Sequence, residues 1–155
     1  MVLARFPLAG GQAAGRTMVG AMLVRDGRVL LGLRRRDRRV APAVWDVPGG
    51  HVEPGESPRT GLRRELREEL GIEAELAGPL RRLVDRALGA TLWLWAVHHW
   101  AGAPRNAAPD EHDELRWFRP DELGALPLAH ASYPNLAEEA VRSGDKGLYR
   151  GAGLP

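Results

Sequence analysis

The stretch that decides the fold is residues 50–72, which read GHVEPGESPRTGLRRELREELGI. Ser57 is a favourable helix N-cap, and Pro58 suits the first turn, where a backbone N–H has no helical partner. Gly71 is the residue type that most often ends a helix in the left-handed conformation. The pattern therefore predicts a helix over residues 58–70.

The predicted helix carries an apolar stripe with an acidic flank beside it. At about 100° per residue, the residues that fall together and form the buried stripe are Leu62, Leu66 and Leu70. The acidic flank consists of Glu65, Glu68 and Glu69. The arginines fall largely on the other side: Arg63, Arg64 and Arg67.

The spacing of the three glutamates favours a divalent-cation site. A solvated acidic face is the usual explanation of a charge run, but it leaves the separation of glutamate from arginine unexplained. Like-charged neighbours at this spacing destabilise a helix by roughly 0.2–0.5 kcal/mol per pair. Converging carboxylates are what Mg²⁺ requires, because it binds oxygen ligands and bridges them to substrate phosphates.

The loop before the helix begins with Pro48-Gly49-Gly50 and carries Glu53 and Glu56. Taken alone, the glycines indicate an ordinary tight turn that ends a short strand. Next to an acidic helix, they also permit a backbone carbonyl to approach a ligand closely.

Strands and helices alternate along the rest of the chain. Runs 17–25 and 28–35 flank Asp26-Gly27, a strong signal for a two-residue hairpin turn. The run 91–100 is apolar on both faces over most of its length, which is typical of a central strand. Further strands are predicted at 43–47, 72–77, 80–86 and 114–119, and short helices at 120–124 and 134–142. This order predicts an α/β (α+β) fold with a mixed sheet.

Length and composition indicate one globular domain. The chain has 155 residues, of which 44% are hydrophobic and 27% charged. We expect a single domain over residues 1–155, with a core at about 17–142 and a flexible tail at 143–155. The absence of cysteine excludes disulfides and thiolate chemistry, and no apolar run is long enough to span a membrane. A cytoplasmic protein that does not bind membranes is the expectation.

The charge is distributed unevenly. Residues 1–47 hold nine arginines against three acids, whereas residues 48–75 hold four arginines against seven glutamates. An acidic segment beside a basic one suits an anionic substrate held through metal ions better than a nucleic-acid groove. We therefore expect no stable complex with nucleic acid.

Taken together, these residues resemble the Nudix box. Gly50, then five residues, Glu56, then seven residues, and the run Arg64–Ile72 (RELREELGI) match the box at every fixed position. A chance match somewhere in the chain is on the order of one in a million. The lead-in WDVPGGHVE at 45–53 and the run TLWLW at 91–95 also resemble mutator-type (MutT-like) members. The resemblance covers roughly residues 17–142.

The resemblance implies an α/β/α sandwich with a loop-helix-loop catalytic motif. It also implies Mg²⁺-dependent hydrolysis of a nucleoside diphosphate linked to another group, with Mn²⁺ as a substitute ion. The implied catalytic residues are Glu65, Arg64 and Glu68, of which Arg64 orients the glutamates. The implied metal ligands are the Gly50 carbonyl, Glu56, Glu65, Glu68 and Glu69. Dimers are common in this family, so a homodimer stays an open expectation.

Mutator-type members add an acid from a later loop, six residues before a strand tryptophan. Counting back from Trp117 gives Glu111, with Asp113 and Glu114 as alternatives. The histidines have no spacing typical of metal ligands, which favours core or surface roles for His98, His99, His112 and His130.

The mutator type is also the best match for the substrate. Features of ADP-ribose and dinucleoside-polyphosphate enzymes are missing, because Ala87 and Gly89 stand where those have proline and tyrosine. We expect hydrolysis of a nucleoside triphosphate, such as 8-oxo-dGTP, to monophosphate and pyrophosphate. The alternatives are a nucleotide-sugar hydrolase, an RNA 5′-pyrophosphohydrolase and a non-catalytic nucleotide-sensing module.

Several residues are candidates for contact with the nucleotide. Arg34 and Arg35 match the place of a phosphate-contacting arginine, although a solvated loop also explains the basic run at 34–39. His130 stands where the family has the asparagine that reads oxidised guanine, and Asn135 lies nearby. Stacking on a base and burial in the core are both open for Trp45 and Trp117.

Overall fold

A mixed β-sheet with helices on both faces forms the centre of the fold. The computed structural model describes residues 15–87 and 89–148. The strands are β1 (Arg16–Arg25), β2 (Arg28–Arg34), β3 (Trp45–Asp46), β4 (Gly49–His51), β5 (Glu73–Ala74), β6 (Arg81–Asp85), β7 (Ala90–Val97), β8 (Trp100–Ala101) and β9 (His112–Phe118). The helices are α1 (Pro58–Leu70), a 3₁₀ helix (Pro120–Ala125) and α2 (Tyr133–Leu148).

The ten-residue strand β1 organises the sheet. One of its edges pairs in parallel with β7 over Arg16–Leu23. Its other edge is shared, since Met18–Gly20 pair with β4 and Val24–Arg25 pair with β2, both antiparallel. Strand β2 continues to β3 and β9, and β7 continues to β6. This arrangement confirms the mixed sheet and brings β4, which leads into the loop before α1, against the centre of the fold.

Alternating residues of the sheet face two separate apolar layers. One layer packs the leucine stripe of α1 (Leu62, Leu66 and Leu70) against Val19, Ala21, Leu23, Trp95 and Val97. The other packs α2 residues Tyr133, Leu136, Ala137 and Ala140 against Met22, Val29, Leu31 and Leu94. The predicted helix–sheet–helix layering and the predicted stripe are therefore confirmed.

The local signals in the sequence act as predicted. Asp26 and Gly27 have φ angles of 51° and 69°, so both central turn residues are left-handed, as a tight hairpin turn requires. The Ser57 side chain caps α1 by accepting a hydrogen bond from the Thr60 N–H. Gly71 ends α1 with a φ of 69°. The helix bounds at 58–70 are confirmed.

The segment around Pro48-Gly49-Gly50 was predicted to be a turn, and this is wrong in part. Gly49 and Gly50 begin β4 and pair with Gly20 and Val19 of β1. A Cβ at Gly49 would lie 2.0 Å from the Val19 carbonyl oxygen, and the Gly49 φ of 146° also disfavours a side chain. The glycines are thus needed for close strand contact.

The other differences lie at element ends. The predicted strand 91–100 ends at Val97, and Trp100 belongs to β8, which pairs with β5. Helix α2 continues to Leu148, so residues 143–148 are helical and not part of a tail, while residues 149–155 lie outside the described residues. Gly144 packs closely against the His98 ring, and Ser143 hydrogen-bonds the same ring at 3.1 Å. Packing therefore extends a helix that its glycines would not favour.

In the described part of the chain, no helix is both long and apolar enough to cross a membrane.

Candidate active site

The three glutamates of α1 differ sharply in their environments. The Glu69 residue is 2% exposed, whereas the side chains of Glu65 and Glu68 are 13% and 59% exposed. The difference follows from the helix geometry, because Glu69 adjoins the leucine stripe and Glu68 is rotated away from it. The acidic flank therefore runs from the edge of the core to the solvent.

Arg64 connects most of these carboxylates. Its guanidinium donates from Nε to Glu56 Oε1 at 2.7 Å and from Nη1 to Glu65 Oε1 at 3.0 Å. The same Nη1 lies 3.3 Å from Glu68 Oε2, and Nη2 donates to the His51 carbonyl oxygen at 3.0 Å. Sequence spacing placed Arg64 largely away from the acidic flank, but its long side chain reaches across. One cation thus holds three carboxylates and the end of β4.

The electrostatic consequences of Arg64 differ between the two more buried carboxylates. The hydrogen bond from Arg64 lowers the pKa of Glu56, and the backbone N–H of Glu53 lowers it further. The pKa of Glu65 is raised, mainly because burial disfavours its charged form, and Glu68 and Glu111 add to the increase against the opposing effect of Arg64. Glu65 is therefore the better proton acceptor of the two.

Glu65 and Glu69 both contact the glycine strand β4. A Cβ at Gly50 would lie 2.5 Å from Glu65 Oε1, so only glycine leaves room for this carboxylate. Glu69 Oε2 accepts a hydrogen bond from the Gly49 N–H at 3.0 Å. The two glycines therefore position two carboxylates of α1 as well as forming the sheet.

The loop before β9 is tied to the end of α1. The N–H groups of Arg105 and Ala107 donate to the carbonyl oxygens of Leu70 and Glu69 at 3.1 and 2.9 Å. The Arg35 N–H donates to the Glu111 carbonyl oxygen at 3.2 Å, which fixes the other end of the loop to β2. These contacts bring Glu111 to the acidic face of α1, although it lies about 40 residues further along the chain.

Glu111 lies beside Glu69, and His112 joins them. Each of the three side chains offers one ligand atom, and these atoms lie within 4.8 Å of one another. Of the alternatives to Glu111, Asp113 is exposed and Glu114 pairs with Arg116. The sequence predicts a core or surface role for His112 and not a place beside these carboxylates. Its proximity to Glu69 is visible only when the loop is folded.

The chemistry of these donors fits a divalent cation. Carboxylates of five glutamates (Glu56, Glu65, Glu68, Glu69 and Glu111) surround the close contact between α1 and β4, and the backbone of Gly50 lies against Glu65. Arg64 compensates only part of this negative charge. Oxygen-rich, negatively charged sites of this kind suit Mg²⁺ and Mn²⁺.

The two arginines expected at the phosphates are placed differently. Arg34 is buried, and its guanidinium donates to the carbonyl oxygens of Ala41 and Val40 at 3.1 Å each. This geometry favours a structural role, because it holds the loop in which Ala41 has a positive φ of 45°. Arg35 is more exposed, pairs with Asp37 and donates to the Pro109 carbonyl oxygen at 3.3 Å. Its contact with phosphate stays a prediction.

The tryptophans considered for base stacking both pack against other aromatic rings. Trp45 is buried and packs edge-on against Phe118 at 4.8 Å between ring centroids. Trp117 stacks on Trp100 at 6.2 Å, and the Arg25 guanidinium lies 5.0 Å from both rings. These contacts favour structural roles for both tryptophans.

His130 and Asn135 lie near the start of α2 in different surroundings. His130 is 1% exposed and stacks on Tyr133 at 5.6 Å between centroids. Its Nδ1 accepts a hydrogen bond from the Ser132 N–H at 3.0 Å, which places the proton of the neutral ring on Nε2. Asn135 is exposed. Contact with a nucleotide base stays a prediction for both residues.

The burial of His130 has a consequence for stability. Burial lowers its pKa, and the nearby Asp46 carboxylate opposes this only in part. The pKa of a histidine in an unfolded chain is about 6.5. Below that pH, the unfolded chain therefore binds more protons than the native protein. The contribution of His130 to stability is thus present above pH ~6.5 and is lost as the pH falls towards the lowered native pKa.

We expect His130→Gln to flatten the pH dependence of the free energy of unfolding between pH ~7.5 and ~5.5, with a slope change of at most about 1.4 kcal/mol per pH unit. Urea unfolding at several pH values measures this slope. The exposed His99 provides a matched control, His99→Gln, which should leave the slope close to that of the wild type. Equal slopes for the wild type and His130→Gln would show that the burial of His130 does not contribute to the pH dependence of stability.

The chain is similar in sequence to a known protein family and to named proteins of bacteria. The sequence model of the family described as "NUDIX domain" matches residues 15–139 of this chain. The chain is 39% identical over 121 residues to a protein named CTP pyrophosphohydrolase from Escherichia coli K12, over 77% of this chain and 87% of that protein. It is 31% identical over 133 residues to "Nucleoside triphosphatase NudI" of Salmonella paratyphi B, over 79% of this chain and 94% of that protein.

A solved structure of similar sequence has the same fold. The structure is a MutT NUDIX hydrolase from Burkholderia pseudomallei, with 36% sequence identity and a TM-score of 0.68 over 80% of this chain and 96% of that one. The family match spans the sheet, α1 and the loop that carries Glu111. The chain is therefore an enzyme of the Nudix hydrolase family, as the box at residues 50–72 indicated.

Proposed function

We propose that this enzyme hydrolyses nucleoside triphosphates to nucleoside monophosphate and pyrophosphate, with Mg²⁺ as the cofactor and Mn²⁺ as a substitute. The observation that carries the proposal is the carboxylate cluster around Arg64, Glu69 and Glu111, since polyphosphates bind to such clusters through divalent cations. The names of two relatives, a CTP pyrophosphohydrolase and a nucleoside triphosphatase, support the triphosphate as substrate.

The reaction adds one water molecule across a phosphoanhydride bond. The water oxygen forms a new bond to phosphorus, the bond from that phosphorus to the bridging oxygen breaks, and the bridging oxygen leaves with pyrophosphate or with the monophosphate. Bound Mg²⁺ would neutralise the negative charge that develops on the phosphate oxygens. The ligands would come from Glu56, Glu68, Glu69, Glu111 and the Gly50 carbonyl.

The chain's own residues supply orientation and the proton acceptor. The Glu65 side chain is largely buried beside Arg64, and its raised pKa suits a carboxylate that takes a proton from the attacking water. The hydrogen bond from Arg64 fixes Oε1 of Glu65, and the other oxygen of this carboxylate would accept the proton of the water. Arg64 thus acts as a positioning residue for the proposed base.

His130 is the residue that we propose as a contact to the nucleobase of the substrate. Its Nε2 is buried and has no hydrogen-bond partner among the described residues, although the neutral ring carries its proton there. An N–H donor in this position would suit an acceptor such as the carbonyl oxygen of cytosine or of 8-oxoguanine. We therefore propose both CTP-like substrates and 8-oxo-dGTP for testing.

A substrate panel tests the proposal. We expect turnover of CTP, dCTP or 8-oxo-dGTP with Mg²⁺, release of pyrophosphate and not phosphate, and no turnover when the metal is chelated. The same panel contains UDP-glucose, ADP-ribose and triphosphorylated RNA. Turnover restricted to the sugar-linked diphosphates would overturn the triphosphate assignment, and binding without any turnover would indicate a nucleotide-sensing module. Activity on RNA that falls steeply with salt would favour the RNA alternative.

A further inference from the structure

The Glu69–Glu111–His112 cluster contains a nitrogen donor that the Nudix box does not supply. All three side chains place a ligand atom within 4.8 Å of the others. Ligand atoms bound at about 2.0–2.5 Å from one divalent ion lie no further apart than about twice that distance. The cluster therefore has the dimensions of a single ion site with one imidazole and two carboxylates.

The position of the His112 ring is fixed by strand β2. His112 is 3% exposed, and its ring lies over Gly32, where a Cβ would come within 2.6 Å of the His112 Cδ2. A larger residue at position 32 would collide with the imidazole. Gly32 thus makes room for the His112 ring beside Glu69 and Glu111.

The backbone of His112 is held equally firmly. Its N–H donates to the Ala108 carbonyl oxygen at 3.2 Å, and its carbonyl oxygen accepts from Asn106 Nδ2 at 2.8 Å. The pairing of β2 with β9 shifts register between Leu33 and Arg34, next to His112. These contacts connect His112 to the same loop that carries Glu111, so the two side chains reach Glu69 together.

Glu69 completes the set from the opposite side. It is buried on α1, and one carboxylate oxygen is oriented by the Gly49 N–H at 3.0 Å. The Ala107 N–H also binds the carbonyl oxygen of Glu69 itself at 2.9 Å. The helix and the loop are therefore joined at the cluster, which limits how far its members can separate.

We propose that His112 is a direct ligand of one of the divalent cations, together with Glu69 and Glu111. This inference rests on the proposed function only for the presence of metal ions in the site. Imidazole suits transition metals, whereas Mg²⁺ favours oxygen ligands and an octahedral shell rich in water. The mixed donor set consequently selects Mn²⁺ over Mg²⁺ at this position, and it makes His112 a determinant of metal specificity.

The test is pulsed electron paramagnetic resonance on the full-length protein loaded with Mn²⁺ alone, without nucleotide. We expect a nitrogen coupling of a directly bound imidazole in the wild type, and the coupling should change from the ¹⁴N to the ¹⁵N pattern when only histidine is labelled with ¹⁵N. This measurement needs no variant, so it does not depend on how a substitution affects folding. Failure of Mn²⁺ to bind, or binding without a histidine coupling, overturns the proposal.

Two variants then assign the coupling to one histidine. His112→Gln should abolish it and raise the Kd for Mn²⁺ by about 10-fold or more, with a smaller change for Mg²⁺. His99→Gln, an exposed matched control, should retain both the coupling and the affinity. A coupling that persists in His112→Gln would assign the ligand to another histidine and refute the inference.

The experiments distinguish failure of His112 as a metal ligand from failure of the proposed function. A histidine-coupled Mn²⁺ in an enzyme that does not hydrolyse triphosphates would support His112 as a ligand and refute the substrate. Triphosphate hydrolysis with no histidine coupling would do the reverse, because the metal would then be held by carboxylates alone.

Discussion

Glu69→Gln is expected to lower kcat/KM for the triphosphate substrate by about 10²–10³-fold, the range typical of a single charge-stabilising group. Glu69 is the most buried carboxylate of α1 and the only one that contacts both β4 and the loop carrying Glu111, among the described residues. The glutamine amide oxygen can still accept from the Gly49 N–H. The substitution therefore removes the charge with little change in shape.

The measurement is a comparison of kcat/KM under saturating Mg²⁺, together with Mn²⁺ affinity and thermal unfolding. Glu75→Gln is the matched control, because Glu75 is an exposed acid shortly after α1 and loses the same charge. It should change kcat/KM by less than about 2-fold, as surface substitutions usually perturb little. A loss below 10-fold in a folded Glu69→Gln enzyme would argue against its role as a metal ligand.

Arg64→Gln is expected to lower kcat by about 10–100-fold, the effect typical of a residue that orients metal ligands. The guanidinium pairs with Glu56, Glu65 and Glu68 and also binds the His51 carbonyl oxygen. Without it, three carboxylates repel one another and none is held in a single direction. We expect the pKa of Glu56 to rise, since the hydrogen bond from Arg64 is the largest cause of its lowering.

The loss in Arg64→Gln should appear mainly in kcat and in metal affinity, while KM for the metal-bound nucleotide changes less. Arg64→Lys should recover only part of the activity, because one ammonium group cannot replace a planar fork that binds several oxygens at once. Arg63→Gln is the control, since Arg63 is an exposed arginine on the same helix. Equal kinetics in the two glutamine variants would show that Arg64 does not position the site.

Most of the fold is predictable because its signals are local. The Asp26-Gly27 turn, the Ser57 cap and the Gly71 stop each depend on the conformations open to one or two residues, and all three are confirmed. Strand β4 escaped prediction, because its glycines are recognisable as a strand only when β1 lies against them. The end of α2 escaped for a related reason, since His98 packs on Gly144 only in the folded chain.

The site likewise has one part that is predictable from the sequence and one part that is not. Helical periodicity places Glu65, Glu68 and Glu69 on one flank, and this part of the site lies within a single element. The roles of these residues, and those of Gly50, Glu56 and Glu111, stay predictions until the variants are measured. The long reach of Arg64 was not predictable from its helical position, because a flexible side chain can cross between faces.

The sequence by itself determined the helix, its acidic flank and the family, because these depend on residue types at fixed spacing within about 23 residues. Only the tertiary structure decided that Arg34 and Trp45 are buried and that His112 meets Glu69 and Glu111. Those positions depend on which strands pair and where a loop is fastened. Contacts between distant residues arise from packing of the whole chain, and no local pattern encodes them.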